Sequence, residues 1–405
     1  MGKIWLMKAF GNQNYKKVAY INFENNERMY NLFQDDLNIQ RIITGFQIEA
    51  GTVIDAETLM IFDEIQEVPT ALTSLKYFHE NAPEYHVLAA GSMLGVALHE
   101  GASFPVGKVD FLDLHPLNFT EFLMASGNEA LVDLLNAKDF KLITSFKTKY
   151  IDLLKKYYFV GGMPEAVLTY TETDDFSLVR DVQRRLLTAY EQDFSKHAPY
   201  EVVPRICLVW NSIPAQLSKE KRKFIYGLVR QDGRAREYEL ALQWLLDSAL
   251  IHKVYRVTRP DIPLKVYHDV NAFKLFMVDV GLLGALSDLD VVTLLQGNQV
   301  FTQFKGALTE QYVFQQLIST NSFEPYYWSA DKGTAEVDFI VQMGGKVLPI
   351  EVKAAENLKA KSLKSYYERF NPEKSVRMSM SDYRDEGWLI NLPLYMVNFL
   401  EASLV

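Results

Sequence analysis

Residues 58–66 read Thr58-Leu59-Met60-Ile61-Phe62-Asp63-Glu64-Ile65-Gln66, a short apolar run that ends in two carboxylates. Such a run is typical of a buried parallel strand that presents acidic residues at its carboxyl end. Carboxylates at that edge of a sheet are suited to holding Mg²⁺ and to polarising a water molecule. We therefore predict that Asp63 is a Mg²⁺ ligand and that Glu64 is a catalytic base. The alternative is a core strand followed by a capped helix.

The first eleven residues, Met1–Gly11, match the second half of a phosphate-binding loop. In the pattern G-x-x-x-x-G-K-[ST], backbone N–H groups cradle the phosphates, the Lys reaches the β- and γ-oxygens, and the hydroxyl binds Mg²⁺. Gly2 and Lys3 match the G-K pair, but Ile4 stands where the hydroxyl belongs. Together with the acidic strand end, the pair predicts that Gly2 and Lys3 bind the phosphates of ATP.

Two further apolar runs, Val18–Glu24 and His86–Ser92, also read as strands. Three strands that alternate with helical stretches predict a doubly wound sheet, which binds its ligands at the carboxyl ends of the strands. Ser92 ends the last of these runs and is predicted to sense the γ-phosphate of ATP. A strand-to-helix cap explains this serine almost as well.

Bulk properties restrict the class of protein. A chain of 405 residues is too long for one core and is expected to form two or three domains. The single cysteine, Cys207, excludes an internal disulfide framework and a cysteine-based zinc site. No apolar segment reaches the ~18–20 residues that span a bilayer, and no signal peptide is recognisable. We predict a cytoplasmic protein without membrane contact. The net charge of -9 leaves only local patches for nucleic acid.

The middle of the chain is predicted to be mostly helical. Residues 121–203 are assigned to a helical lid, interrupted by a Gly-Gly-Met-Pro turn that we interpret as structural. Residues 204–265 resemble a winged helix, with one helix over Ser218–Arg230, a second over Glu237–Ser248 and a strand after them. The density of Lys and Arg there would suit DNA, although a solvated helix face is the commoner explanation.

The C-terminal part contains a second group of candidate catalytic residues. Two strands around a Gly-Gly turn predict a hairpin with Asp338 on one strand. Glu351 and Lys353 lie on the other strand and share a face, because side chains alternate with a period of two. Two carboxylates and a lysine suit a Mg²⁺-dependent nuclease, in which the carboxylates bind the metal. The alternative is a surface ion pair.

With Glu310 on the preceding predicted helix, this arrangement resembles the PD-(D/E)xK nuclease core. The resemblance implies that Glu310, Asp338, Glu351 and Lys353 are catalytic, with Asp338 and Glu351 as Mg²⁺ ligands if the enzyme cleaves. Many members of that superfamily do not cleave. A nuclease-derived DNA-binding module is therefore an equally open reading of this part of the chain.

The order of all these segments resembles the prokaryotic AAA-type ATP-binding proteins that join an ATPase core to a C-terminal domain of unknown function with a nuclease-like fold. The segments that carry the resemblance are Gly2–Lys3, Ile61–Gln66, Ala90–Ser92, Pro116–Leu123, Gly161–Glu165, Phe273–Leu283, Glu336–Phe339 and Pro349–Lys353. The resemblance implies ATP and Mg²⁺ as ligands. It also implies DNA, bound through the winged helix or the C-terminal domain, or a protein as a partner.

The predicted fold is therefore an α/β multidomain protein. Residues 1–120 form a P-loop ATPase core, a doubly wound parallel sheet whose first strand is missing, and residues 266–405 form an α/β nuclease-like domain. Compared with the family pattern, the chain begins inside the phosphate-binding motif, as a truncated or misassigned start would. We expect weak ATP binding and slow hydrolysis, because several phosphate-binding N–H groups are missing and Ile4 offers no oxygen. The alternative function is a metal-dependent nuclease with a vestigial ATPase core.

Overall fold

The computed structural model describes residues 2–34, 36–91, 107–219, 223–296, 302–320, 323–331, 334–356 and 360–404. The chain divides into two compact units. The first, here the N-terminal unit, comprises Met1–Leu114 with Asp247–Ala249. The second, the C-terminal unit, comprises His115–Leu246 and Leu250–Val405.

The N-terminal unit contains a parallel three-stranded sheet, as the sequence predicted. Its strands are β1 (Lys17–Asn22), β2 (Thr58–Asp63) and β3 (His86–Ala90), in the order β1-β2-β3. The central strand β2 is buried along its whole length, as its continuous apolar run requires. In the register, Asn22 lies beside Asp63, and Asp63 lies beside Ala90. The carboxyl ends of all three strands therefore meet at one edge.

Helices cover this sheet and complete its core. They are α1 (Gly2–Asn14), α2 (Glu27–Leu32), α3 (Ile39–Ala50) and α4 (Pro69–Asn81), and a short 3-10 turn, Ile65–Glu67, follows β2. The helix α3 begins at an Asn38 cap and ends at Gly51 in the left-handed conformation. Its buried face packs on the sheet, where the rings of Phe46 and Phe62 lie 5.0 Å apart.

The C-terminal unit combines many helices with a large mixed sheet. The helices are α5 (Phe119–Ala125), α6 (Glu129–Ala137), α7 (Phe140–Ser145), α8 (Lys147–Val160), α9 (Pro164–Thr173), α10 (Phe176–His197), α11 (Val203–Leu217), α12 (Tyr226–Val229), α13 (Ala235–Asp247), α14 (Val280–Leu286), α15 (Val291–Gln296), α16 (Thr302–Ile318) and α17 (Lys361–Phe370). The helices of the predicted lid segment thus belong to the same unit as the C-terminal strands.

The mixed sheet has eight strands in the order β10-β11-β9-β8-β7-β6-β4-β5. The strands are β4 (Ile251–Val257), β5 (His268–Met277), β6 (Tyr326–Ser329), β7 (Glu336–Met343), β8 (Lys346–Val352), β9 (Ser375–Ser379), β10 (Arg384–Asp385) and β11 (Leu389–Pro393). β7 and β8 form the predicted antiparallel hairpin. The helix α16 packs against the sheet through Phe314, whose ring stacks on that of Phe276 at 4.6 Å.

The single helix predicted over Ser218–Arg230 is wrong. The helix α11 ends at Leu217, and only the one-turn helix α12 follows before α13. The reason lies in the backbone hydrogen bonds that this segment makes outside a helix. The Phe224 amide donates to the Phe273 carbonyl at 2.8 Å, and the Gln216 side chain bonds both the N–H and the C=O of Ile225 at 2.9 Å. These partners satisfy the groups that a helix would otherwise pair.

The strand predicted after this region is formed as β4, and it pairs with β5 and with β6 in the eight-stranded sheet. The winged-helix assignment and the four-segment division of the chain stay predictions. Residues 220–222, within the basic stretch, lie outside the described residues.

Candidate functional site

The carboxyl edge of the three-stranded sheet brings the predicted phosphate-binding lysine to the two acidic residues. Gly2 begins α1, and Lys3 in its first turn donates from Nζ to the Gly91 carbonyl, just beyond β3, at 2.8 Å. Burial lowers the pKa of Lys3, whereas the charges of Glu64 and Asp63 act to raise it. The ammonium group therefore lies within electrostatic reach of both carboxylates.

Asp63 is almost fully buried and is held by a tyrosine that the sequence analysis did not identify. Tyr20 on β1 donates its hydroxyl to Asp63 Oδ2 at 2.6 Å. Burial, and then the hydrogen bond and charge of Asp63, raise the pKa of Tyr20 above its usual range. Lys8 on α1 lies over the Tyr20 ring, with Nζ 3.5 Å from the ring centroid. Tyr20 thus fixes the Oδ2 oxygen of Asp63.

Glu64 follows Asp63 in a left-handed conformation, with φ of 51°. Such a conformation is uncommon for a residue other than glycine and is often found at functional sites. Gln66 donates from Nε2 to Glu64 Oε2 at 2.5 Å. A Cβ atom at Gly91 would collide with Gln66 Oε1, so the glycine permits the close approach of β3 to this side chain. Glu64 is therefore held in place by a neighbouring amide.

The donor set at this edge suits a nucleotide-bound Mg²⁺ through one residue. Mg²⁺ usually keeps several waters and binds one or two carboxylates besides the phosphates, so Asp63 is the residue that would hold it here. Ile4 supplies no oxygen. The predicted γ-phosphate sensor, Ser92, lies outside the described residues.

In the C-terminal unit, the hairpin β7–β8 brings Asp338, Glu351 and Lys353 together. The Val352 amide donates to Asp338 Oδ2 at 2.8 Å, and Lys353 Nζ lies 2.6 Å from Glu351 Oε1. Burial is the largest cause of the raised pKa of Glu351. The nearby charge of Asp338 adds to that rise, and Lys353 opposes it. This geometry is what the E-x-K spacing predicts.

Glu310, the fourth predicted nuclease residue, has a different partner. It lies on α16 with Oε2 3.7 Å from Nζ of Lys274, and the same ammonium lies 2.7 Å from Glu336 Oε1. Within the described ranges, no group of three His, Cys, Asp or Glu side chains is placed to hold a metal ion. The structure therefore brings Asp338 and Glu351 together with Lys353, and it places Glu310 beside Lys274.

Three family models match consecutive parts of the chain. Residues 1–123 match an AAA domain, residues 151–293 match a domain of unknown function (DUF8612), and residues 305–395 match another (DUF4143). No curated protein matches the chain. The AAA match confirms the predicted P-loop ATPase core, and the last match confirms a C-terminal domain of unknown function. Among the residues that the structure describes, no helix is long and apolar enough to cross a membrane.

Two solved structures are similar to parts of this fold. The Walker-type ATPase paby2304 of Pyrococcus abyssi is 14% identical, with a TM-score of 0.40, over 71% of this chain and 88% of that one. Protein VC1899 from Vibrio cholerae is 11% identical, with a TM-score of 0.20, over 96% of this chain and 90% of that one. At TM-scores this low, neither likeness bears on function.

Proposed function

We propose that this chain is an AAA-type ATP-binding protein whose nucleotide phosphates bind at the carboxyl edge of the three-stranded sheet. One observation carries the proposal. Lys3, at the start of α1, donates a hydrogen bond to the Gly91 carbonyl and lies within electrostatic reach of Asp63 and Glu64. Ligands of open α/β sheets bind at this edge, and a lysine at a helix start is suited to phosphate. The AAA match over residues 1–123 supports an ATP-binding core in this part of the chain.

Each residue at the site has a distinct role in this proposal. Lys3 exchanges its carbonyl partner for phosphate oxygens, which gains a charge-assisted hydrogen bond. Asp63 offers its second carboxylate oxygen to Mg²⁺, which when bound neutralises charge on the phosphates. Glu64 accepts a proton from water as the general base.

We further propose that hydrolysis is slow. Ile4 provides no hydroxyl to Mg²⁺, and the amide of Gln66 occupies one oxygen of Glu64. A hydrogen bond of this kind stabilises the ionised carboxylate and so makes it a weaker base toward water. Slow turnover suits a protein in which bound ATP acts as a switch for a C-terminal partner, either DNA or protein.

The test of ATP binding compares two lysines: Lys3, near the carboxyl edge of the sheet, and Lys17, at its amino edge. Lys3→Ala removes the phosphate contact and is expected to weaken ATP binding by about 10–100-fold, the cost of one hydrogen bond to a charged group. Lys17→Ala is the matched control, because Lys17 lies at the amino end of β1 and is paired with Asp55 at 2.5 Å. Isothermal titration of both variants measures the difference. Equal affinities would refute the site.

A second candidate function is favoured by the contact between Glu351 and Lys353 beside Asp338. We propose that the C-terminal unit is a nuclease-derived module that binds DNA without cleaving it, because Lys274 lies beside Glu310 and Lys353 is paired with Glu351. Incubation with Mg²⁺ or Mn²⁺ and linear, branched or single-stranded DNA tests this. Binding without cleavage is expected, and cleavage that Asp338→Ala abolishes would contradict it.

A further inference from the structure

Lys274 carries a buried charge that neither proposed function uses. It lies on β5 within an apolar stretch, and its side chain is 0% exposed. Its ammonium nitrogen lies 2.7 Å from Glu336 Oε1, 3.7 Å from Glu310 Oε2 and 4.9 Å from the centroid of the Tyr327 ring. One cation is therefore surrounded by two carboxylates and the face of an aromatic ring.

This cluster has the charge arrangement of a metal site without the metal. Ionised carboxylates are retained in a protein interior only when a cation or hydrogen-bond donors compensate for the lost hydration. A divalent ion would need several oxygen ligands, and Mg²⁺ in particular would bring water molecules. A buried ammonium brings no such water, and here its charge lies against two carboxylates and the face of the Tyr327 ring.

Both the backbone and the side chain of Lys274 are fixed by neighbouring elements. In the sheet it is paired with Val254 of β4, which fixes its backbone position. Glu310 comes from α16 and Glu336 from the start of β7, so the ammonium joins three elements. Glu310, which the nuclease resemblance implies is catalytic, is thereby held by an internal partner.

We propose that Lys274 is a built-in cation that takes the place of a divalent metal beside Glu310 and Glu336. This cluster consequently needs no divalent metal, because Lys274 supplies the positive charge beside Glu310 and Glu336. This inference goes beyond both proposed functions, since it concerns how the unit is stabilised.

Lys274→Ala and a triple variant that serves as its control test the inference through thermal unfolding with and without Mn²⁺. Lys274→Ala removes the cation from beside both carboxylates and is expected to lower the Tm of the C-terminal unit by ~10 °C. Mn²⁺ is expected to raise the Tm of that variant. The triple variant Lys274→Ala, Glu310→Gln, Glu336→Gln removes the charges together and should regain most of the lost Tm without responding to Mn²⁺.

A second, independent measurement keeps Lys274 in place and changes only Glu310. Glu310→Gln should leave Mn²⁺ uptake, followed by electron paramagnetic resonance, equal to that of the unaltered protein. A loss of Mn²⁺ uptake in this variant would overturn the inference, as would a Lys274→Ala protein whose Tm ignores both Mn²⁺ and the two Gln substitutions. If Lys274→Ala alone does not fold, folding of the triple variant supports the inference, and its failure to fold overturns it.

Discussion

Replacing Asp279 by alanine should destabilise the C-terminal unit more than any exposed helix cap can. Asp279 is fully buried at the start of α14. Its Oδ1 accepts the Leu282 amide at 3.0 Å, while Oδ2 accepts the Gly162 amide at 2.6 Å and Gln315 Nε2 at 3.1 Å. One side chain therefore joins the Gly-Gly turn after α8 to both α14 and α16.

The magnitude follows from those three donors. Each buried donor left without a partner costs roughly 1–3 kcal/mol. Part of that cost is offset, because burial raises the pKa of Asp279, which means that the ionised carboxylate is itself poorly solvated. We expect a net loss of about 4 kcal/mol of unfolding free energy for Asp279→Ala. Asp139→Ala, which removes one exposed cap bond to Leu142, should cost about 1 kcal/mol.

Urea unfolding followed by tryptophan fluorescence measures this difference, because four of the five tryptophans lie in the C-terminal unit. The pH dependence gives a second check. The pKa of Asp279 is higher in the folded state than in the unfolded state. Between these two pKa values the native protein binds a proton that the unfolded chain does not, so stability falls as the pH rises from the lower value to the higher one. Asp279→Ala should lack this component. Equal losses in the Asp279 and Asp139 variants would refute the reasoning.

Three other outcomes are expected. Tyr20→Phe removes the hydroxyl that orients Asp63 and should weaken Mg²⁺-dependent ATP binding by ~10–100-fold, with binding in EDTA unchanged; equal effects in both buffers would contradict this. Gly162→Ala places a Cβ against the backbone carbonyl of Leu117 and should prevent normal folding, so an unchanged Tm would be contrary evidence. Because burial lowers the pKa of Lys3, ATP binding at alkaline pH should take up protons, measurable by titration in buffers of different ionisation enthalpy. A Lys3→Ala protein should show no such uptake.

The sequence predicted the parts of the fold that depend on continuous patterns. The short apolar run before Asp63 favoured a buried strand, and β2 is the central strand of its sheet. The E-x-K spacing likewise predicted that Glu351 and Lys353 would meet, because residues two apart on a strand share a face.

What the sequence could not predict depends on contacts between distant segments. Tyr20 reaches Asp63 through the register of two parallel strands, which no local pattern specifies. Lys274 appears in the sequence only as an interruption of an apolar run, whereas its partners come from other elements of the C-terminal unit. The wrong helix over Ser218–Arg230 has the same cause, since Gln216 and Phe273 provide the hydrogen bonds that replace it.

The central claim is that Lys3 and Asp63 form one nucleotide site. Its most direct test is the ratio of ATP affinities with and without Mg²⁺, measured by isothermal titration for the unaltered protein and for Asp63→Asn. We predict that Mg²⁺ strengthens ATP binding to the unaltered protein, and that Asp63→Asn loses this strengthening while it keeps the binding seen in EDTA. No ATP binding by the unaltered protein, or an identical Mg²⁺ effect in the variant, would contradict the claim.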